Sequence, residues 1–277
     1  MKFLEGLAED IKKNLLEQLR VLWTHASTAI EGNTLTLGET AFVLSEGLTI
    51  SGKPLKDHRD IEGHAHAVDL VYGLVKKQEI LEADLFDLHK LVIYEQVLDV
   101  YKPVGDWKKE NNSTSVTVHN QLKTIEFSDH WEVPKLMERW LELLNAEIQS
   151  HKARKEVLKS YARLHISLTG IHPFWDGNGR IARLIANLPC LKAGFPPIII
   201  ENEKRYDYIT ALAGYTLTHG VPSRDTALVH EDACFDKFTS FCEQCWQGSL
   251  TLVEESHDLQ RKRDQRLSRA RTKDFSP

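Results

Sequence analysis

Apolar residues recur at three- and four-residue steps along most of this chain. Leu7, Ile11, Leu15, Leu19 and Leu22 set that spacing and predict one amphipathic helix over residues 7–30. Glu31-Gly32-Asn33 then supplies a stop, with Gly32 suited to the left-handed position after a last turn. Thr36 or Gly38-Glu39 restarts a short helix to about Gly47, and Ser51-Gly-Lys-Pro54 is turn chemistry. Helical spacing returns over 57–77 through Ile61, Ala65, Val68 and Val71. It returns again over 82–97 through Leu85, Leu88, Val92 and Ile93.

The period changes between 103 and 130. Pro103, Gly105 and Asn111-Asn112 mark a loop, and Ser115-Val-Thr-Val118 and Lys123-Thr-Ile-Glu-Phe127 are β-prone. His119-Asn-Gln-Leu122 between them predicts a hairpin turn. Helices follow from Pro134 to about Gln149 and over 157–168. Phe195-Pro196-Pro197 is a break, Ile198–Ile200 a brief extended segment, and 203–218 and 232–255 are helical again. The pattern predicts an all-α protein with one β-hairpin. The charged stretch from Asp258 to Pro277 is expected to be a solvated helix end that frays into disorder.

The 277 residues are 42% hydrophobic and 27% charged, as in an ordinary globular protein. A net charge of −5 gives no positive field to draw nucleic acid or an anionic membrane, so neither is expected as a partner. No apolar run nears the ~20 residues that span a bilayer. Acids interrupt the first ten residues, against a secretory signal. The four cysteines are too few for a disulfide framework, and Cys242-x-x-Cys245 reads as two reduced thiols on a helix. A cytoplasmic location is expected. His58, Glu62, His64 and His66 read as surface and interface side chains rather than a metal cluster, with His58 as a cap.

The densest chemistry is His172-Pro-Phe-Trp-Asp-Gly-Asn-Gly-Arg-Ile-Ala-Arg183. Asp176-Gly-Asn-Gly179 can present successive backbone N–H groups in a concave turn, and glycine permits close approach of a phosphate. A helix beginning near Arg180 adds its positive end. Arg180 and Arg183, three apart, offer planar forks for phosphate oxygens. Asp176 suits a magnesium ion that keeps waters. His172 can take a proton from a hydroxyl at neutral pH. These parts describe phosphoryl-type transfer from a nucleotide polyphosphate.

The run His-Pro-Phe-x-Asp-Gly-Asn-Gly-Arg-x-x-Arg resembles the signature of the Fic-domain family. The likeness extends from about Ser27 to about Leu217 and includes Gly52-Lys-Pro-Leu-Lys-Asp-His58 and the hairpin. It implies a Fic-type helical bundle with a hairpin flap, and transfer of AMP from ATP to a protein Ser, Thr or Tyr hydroxyl. His172 would be the general base. Asp176 would hold Mg2+, with Mn2+ as the alternative ion. Gly177, Asn178 and Gly179 would line the anion hole, Arg180 would meet the β phosphate and Arg183 the γ phosphate. Phe174 would anchor the loop in the core, and Trp175 would pack. The branch that phosphorylates its targets has lysine where this chain has Gly179, so glycine favours AMP. Asp106-Trp-Lys-Lys109 departs from the family's usual approach to the hairpin. Tyr206, Tyr208 and Tyr215 are candidates for the adenine side. The target would add a strand to the 115–127 flap. Relatives often dimerise, so a homodimer is an implied state.

Ser27-Thr-Ala-Ile-Glu31-Gly32 resembles the family's inhibitory motif, placed before the core. Glu31 would compete with the γ phosphate for Arg183. It would equally suit positioning of water for removing AMP from a modified protein, and a non-catalytic nucleotide-binding scaffold is the third reading. The chain divides accordingly into an inhibitory helical segment (1–50), a catalytic core (51–220) and a helical extension with a charged tail (221–277).

Overall fold

A computed structural model describes residues 1–93, 99–118, 121–149 and 153–273. Among these, ten α-helices surround one hydrophobic core, and one two-stranded antiparallel hairpin lies against them. Helix α1 (Glu9–Ile30) carries Glu9 and Asp10 in its first turn, where carboxylates favour the helix dipole. It buries Ile11, Leu15, Leu19, Trp23 and Ile30. Gly32, at φ 95°, releases the chain after it.

Thr36, rather than Gly38, starts α2 (Leu37–Glu46). Its hydroxyl accepts from Glu39 N–H while the Glu39 carboxylate accepts from Thr36 N–H, a reciprocal cap. Helix α3 (Leu55–Leu74) begins right after Pro54 and packs on α1. Helix α4 (Glu82–Val92) stops at Ile93, which is extended, short of the predicted end at 97. Residues 94–98 lie outside the described residues.

Strands β1 (Ser113–Val118) and β2 (Gln121–Glu126) pair from Ser113↔Glu126 to Val118↔Gln121. The predicted turn at 119–120 lies outside the described residues. Ile125 packs on Ala213 and seats the hairpin on α9 (Arg205–His219). Helices α5 (Val133–Gln149) and α6 (Arg154–Ile171) follow, and α6 buries residues on nearly every side, which makes it the central helix.

The motif turns into α7 (Asn178–Ile185) and α8 (Leu188–Ala193), the latter ended by left-handed Gly194. Ile198–Ile200 form no strand. Instead the buried amide of Asn187 bonds both Ile198 N–H and Ile198 C=O. The fraying expected from Asp258 onward is corrected over the described residues: α10 runs unbroken over Ala233–Lys273, its end exposed as expected. Polar contacts to the chain's start fix it where apolar residues are lacking. Gln260 accepts from Ala8 N–H at 2.8 Å, and Arg263 pairs with Asp10 at 2.8 Å. The prediction for His64 is also corrected, since α3 turns it fully into the core, 3.4 Å from Thr24 Oγ1. His58 is buried too, accepting from Ile50 N–H and bonding Pro54 C=O as a local cap. Glu62 and His66 face solvent. Among the described residues no helix is long and apolar enough to cross a membrane.

Candidate active site

The C-terminus of α6 and the N-terminus of α7 create the site. His172 ends α6 in the left-handed region (φ 53°, ψ 59°), the one non-glycine among the described residues with positive φ. Such a conformation costs energy in any residue that carries a β-carbon and persists only where the surroundings hold it. Three of those holders are visible. The Phe127 ring stacks on the His172 ring at 3.7 Å and 3°. The side-chain amides of Asn112 and Asn178 each stand 3.1 Å from His172 Nδ1.

The Asn178 amide is oriented by Phe174, whose N–H donates to Oδ1 and whose C=O accepts from Nδ2. Two N–H donors cannot face each other, so Nδ1 is the acceptor and the neutral ring carries its hydrogen on Nε2. Burial, with the nearby Lys108 charge, lowers the His172 pKa to about 3. The ring is therefore neutral at pH 7.

Phe174 is fully buried and stacks on His89 at 4.0 Å, with Trp107 at 5.0 Å beside it. His89 Nδ1 accepts from Gly105 N–H, so its Nε2–H donates to the Asp176 carbonyl at 3.2 Å. The Asp106–Lys109 departure proves to be an anchor. Trp107 bonds Glu82, and the buried Lys108 ammonium donates to Asn112 Oδ1 at 2.7 Å. Lys102 sits over the Trp175 ring at 5.2 Å. None of these long-range partners carries a local sequence signal.

Gly177, at φ 80°, caps α7, and its N–H donates to Asp176 Oδ1. The first turn of α7 leaves the N–H groups of Asn178, Gly179 and Arg180 without carbonyl partners inside the helix. These groups, the helix dipole and the exposed Asp176 carboxylate all lie together.

A cavity of about 280 Å³ brings Glu31, His172, Asp176, Gly177, Asn178, Gly179 and Arg183 onto one lining. Arg180 is not on it. The two arginines diverge: Arg180 donates to the Val92 carbonyl and approaches Asp176 and Asp60, lining a neighbouring space of about 230 Å³. Asp176 lines both. Burial raises the Asp60 carboxyl above its ordinary range despite Arg180 nearby.

Arg183 reaches back to α1. Nε donates to Ser27 Oγ at 3.0 Å, Nη2 to Ser27 C=O at 2.9 Å and to Glu31 Oε1 at 2.6 Å, and Nη1 to Tyr208 OH at 3.2 Å. Burial opposes its charge, but Tyr208 and Glu31 outweigh burial and hold its pKa above the ordinary value. A β-carbon at Gly179 would stand 2.9 Å from Glu31 Oε1 and 3.1 Å from Arg183 Nη1, so glycine leaves room for this pair. Arg205 donates to the Ile30 carbonyl at 2.7 Å and Thr34 donates twice to Asp57, fixing the end of α1 where Glu31 sits. Tyr208 lines the cavity through this clamp, whereas Tyr206 is exposed and Tyr215 is tied to His230. Ile209, Leu212 and Ala213 of α9, with Val116 and Ile125 of the hairpin, form the apolar wall.

The fold and site define an all-α protein in which a glycine turn opens a helix beneath a hairpin. Residues 79–190 match the family model described as Fic/DOC family. The chain thus carries a Fic domain of that family. It is 33% identical over 183 residues to the protein adenylyltransferase Fic of Drosophila virilis, covering 66% of this chain and 35% of that protein. The Drosophila melanogaster protein of the same name is 32% identical over 66% of this chain and 34% of its own length. The chain spans about a third of the length of these curated relatives. Its fold matches a Fic-domain-containing signaling protein from Bacteroides thetaiotaomicron with TM-score 0.78, at 24% identity over 92% of this chain and 93% of that one. Fic-1 from C. elegans matches with TM-score 0.70, at 23% identity over 94% and 69%.

Proposed function

We propose that this chain is a protein adenylyltransferase that moves AMP from ATP to a Ser, Thr or Tyr hydroxyl of a target protein, and that Glu31 holds the site off. The observation that carries this reading is the common cavity of His172, Asp176, the Gly177–Gly179 turn and Arg183. The hydroxyl oxygen attacks the α phosphorus, the bond to the β phosphate breaks, and pyrophosphate leaves. The hydroxyl proton passes to His172, which is neutral at pH 7. The N–H groups at the start of α7 stabilise charge on the α phosphoryl oxygens. The apolar wall from Ile209, Leu212 and Ala213 suits an adenine ring.

Asn112 and Asn178 hold the ring through Nδ1 until the hydroxyl arrives, and proton uptake on that lone pair exchanges both amide donors for the hydroxyl. A target strand docking on the flap is a natural trigger, and a groove of about 500 Å³ between β2 and the Thr216–Ser223 segment supports docking there.

Asp176 fits Mg2+, or Mn2+, because a single exposed carboxylate beside a polyphosphate suits an ion that retains its waters. When bound, that ion neutralises charge on the polyphosphate. Arg180 would meet the β phosphate only after leaving both the Val92 carbonyl and Asp176 and turning into the cavity of His172 and Arg183.

The inhibitory role follows from donor count. Four of the five Arg183 N–H groups are engaged, one of them by Glu31. A γ phosphate would have to displace a carboxylate of the same charge. A second reading, hydrolytic removal of AMP, is favoured by one fact: the Glu31 side chain is 43% exposed on the cavity that holds His172. The division into inhibitory segment (1–50), catalytic core (51–220) and extension (221–277) belongs to this proposal. So does a cytoplasmic setting, which four free cysteines support.

The test is auto-modification of purified wild type, Glu31→Gly and His172→Ala with labelled ATP, read by intact mass. Addition of AMP, increased in Glu31→Gly and lost in His172→Ala, supports the reading. Labelling that persists in His172→Ala, or a different added mass, overturns it.

A further inference from the structure

Three side chains able to ligate a metal come together away from the cavity of His172 and Arg183. His219 is the last residue of α9, and Asp232 and Cys234 stand at the start of α10. Their donor atoms, one nitrogen, one oxygen and one sulfur, all lie within 4.8 Å of one another. A three-way meeting of different donors across the loop 220–232 is not a helix-end effect, because each side chain is held for its own reason.

The His219 ring is fixed between two others, Tyr215 at 4.7 Å and His230 at 4.9 Å. Its Nε2 is shielded from solvent and makes no well-aligned hydrogen bond, although Asp232 Oδ2 is 3.1 Å away. Asp232 uses its other oxygen to accept from Cys234 and Phe235 N–H, which turns Oδ2 toward His219. Cys234 Sγ is 3.9 Å from Thr218 Oγ1 and within 4.8 Å of the other two donor atoms. It is also the accessible cysteine, since Cys190, Cys242 and Cys245 are buried. The loop between the helices is pinned by Tyr215, whose hydroxyl bonds both N–H and C=O of His230.

We propose that His219 Nε2, Asp232 Oδ2 and Cys234 Sγ bind a zinc ion, with water in the fourth position. Imidazole, carboxylate and thiolate together suit Zn2+, whereas Mg2+ and Ca2+ take oxygen donors. Binding deprotonates the Cys234 thiol and releases that proton to solvent. The ion joins the end of α9 to the start of α10 and so closes the loop that carries Val221 and Pro222. These residues line the groove beside β2, and Ser128 of the flap side donates to the Pro222 carbonyl at 2.5 Å. The ion would therefore brace one wall of that groove without touching the nucleotide site.

Cobalt reports the site directly. Adding Co2+ to the full chain should give the sulfur-to-cobalt charge-transfer absorption and the intense visible bands of a four-coordinate ion, at one ion per chain. Cys234→Ser should abolish the charge-transfer absorption, and His219→Gln should weaken Co2+ binding by at least ~10-fold. Zn2+ should raise the thermal midpoint of the wild type and leave that of Cys234→Ser unchanged. Absence of the sulfur band, or its survival at full strength in Cys234→Ser, overturns the proposal.

Discussion

Glu31 and Arg183, 152 residues apart in sequence, meet at 2.6 Å. The contact is made by an arginine almost fully buried and a carboxylate that is 43% exposed. That asymmetry matters. The cation is fixed by Ser27 and Tyr208 and stays in place, while the carboxylate can swing into the cavity. Under the inhibitory role proposed for Glu31, the pair would act as a fixed lock with a removable key.

Removing the key should activate the site. A hydrogen bond to a charged group contributes about 1.5–3 kcal/mol, and the solvent exposure of Glu31 puts this one at the low end. Glu31→Gly should raise the rate of AMP incorporation by about 10-fold. Glu31→Gln, which keeps a neutral hydrogen bond, should fall between the two. Equal incorporation in wild type and Glu31→Gly would remove the inhibitory role.

Tyr208 is the part of the lock that stays behind. Its hydroxyl sits between Arg183 Nη1 at 3.2 Å and His165 Nε2 at 3.3 Å, fully shielded from water. Tyr208→Phe leaves a buried guanidinium N–H unsatisfied, which costs about 1–3 kcal/mol. Urea unfolding should show that loss, and ATP affinity of a Glu31→Gly, Tyr208→Phe double variant should drop relative to Glu31→Gly alone. If stability and affinity both match, Tyr208 does not hold Arg183.

Acid should unfold this protein through its buried imidazoles. Burial lowers His89 to about 4 and His165 and His172 to about 3, and pushes His64 well down. The unfolded chain takes up these protons near pH ~6.5, before the folded chain does. The stability they contribute is complete above pH ~6.5 and is lost as pH falls from there toward 4 and 3. His165→Phe should flatten that acid slope by up to ~1.4 kcal/mol per pH unit. The check is unfolding free energy by urea at stepwise pH. An unchanged slope would mean that His165 is accessible to protons in the folded state.

Much of this was legible in the sequence because it depends on local chemistry. Leucines at helical spacing marked α1 and Gly-Asn-Gly marked the turn into α7, whereas the start of α2 stood open between Thr36 and Gly38-Glu39 and the cap decides it for Thr36. The contact of Glu31 with Arg183 was legible only through a family resemblance, since nothing local joins residues 152 apart. The direction of Arg180 was not legible. Residues three apart on a helix differ by about 60° around its axis, enough for two long side chains to find separate partners. Phe127, Asn112 and His89 were missed as site residues because each acts on the motif from a distant element. The length of α10 was missed because polar contacts to the chain's start hold it, and no apolar period announces those. His64 was missed because one face of α3 is buried by α1 more deeply than its own spacing implies.

Lys108 offers the sharpest separation between binding and chemistry. It is buried, burial lowers its pKa to about 8, and its Nζ donates to Asn112 Oδ1. Asn112 in turn donates to His172 Nδ1. Lys108 is not on the lining of the cavity that holds His172 and Arg183. Lys108→Met, in a Glu31→Gly background, should therefore lower kcat by about 10-fold through loss of His172 positioning, with the KM for ATP unchanged. A second consequence has a definite sign. The Lys108 charge helps depress the His172 pKa, after burial. Its removal raises that pKa, and a general base works only in its neutral form, so the acid limb of the activity profile should move to higher pH. A change in KM with the acid limb unmoved would mean that Lys108 acts on nucleotide binding, and the chain from Lys108 through Asn112 to His172 would then carry no catalytic role.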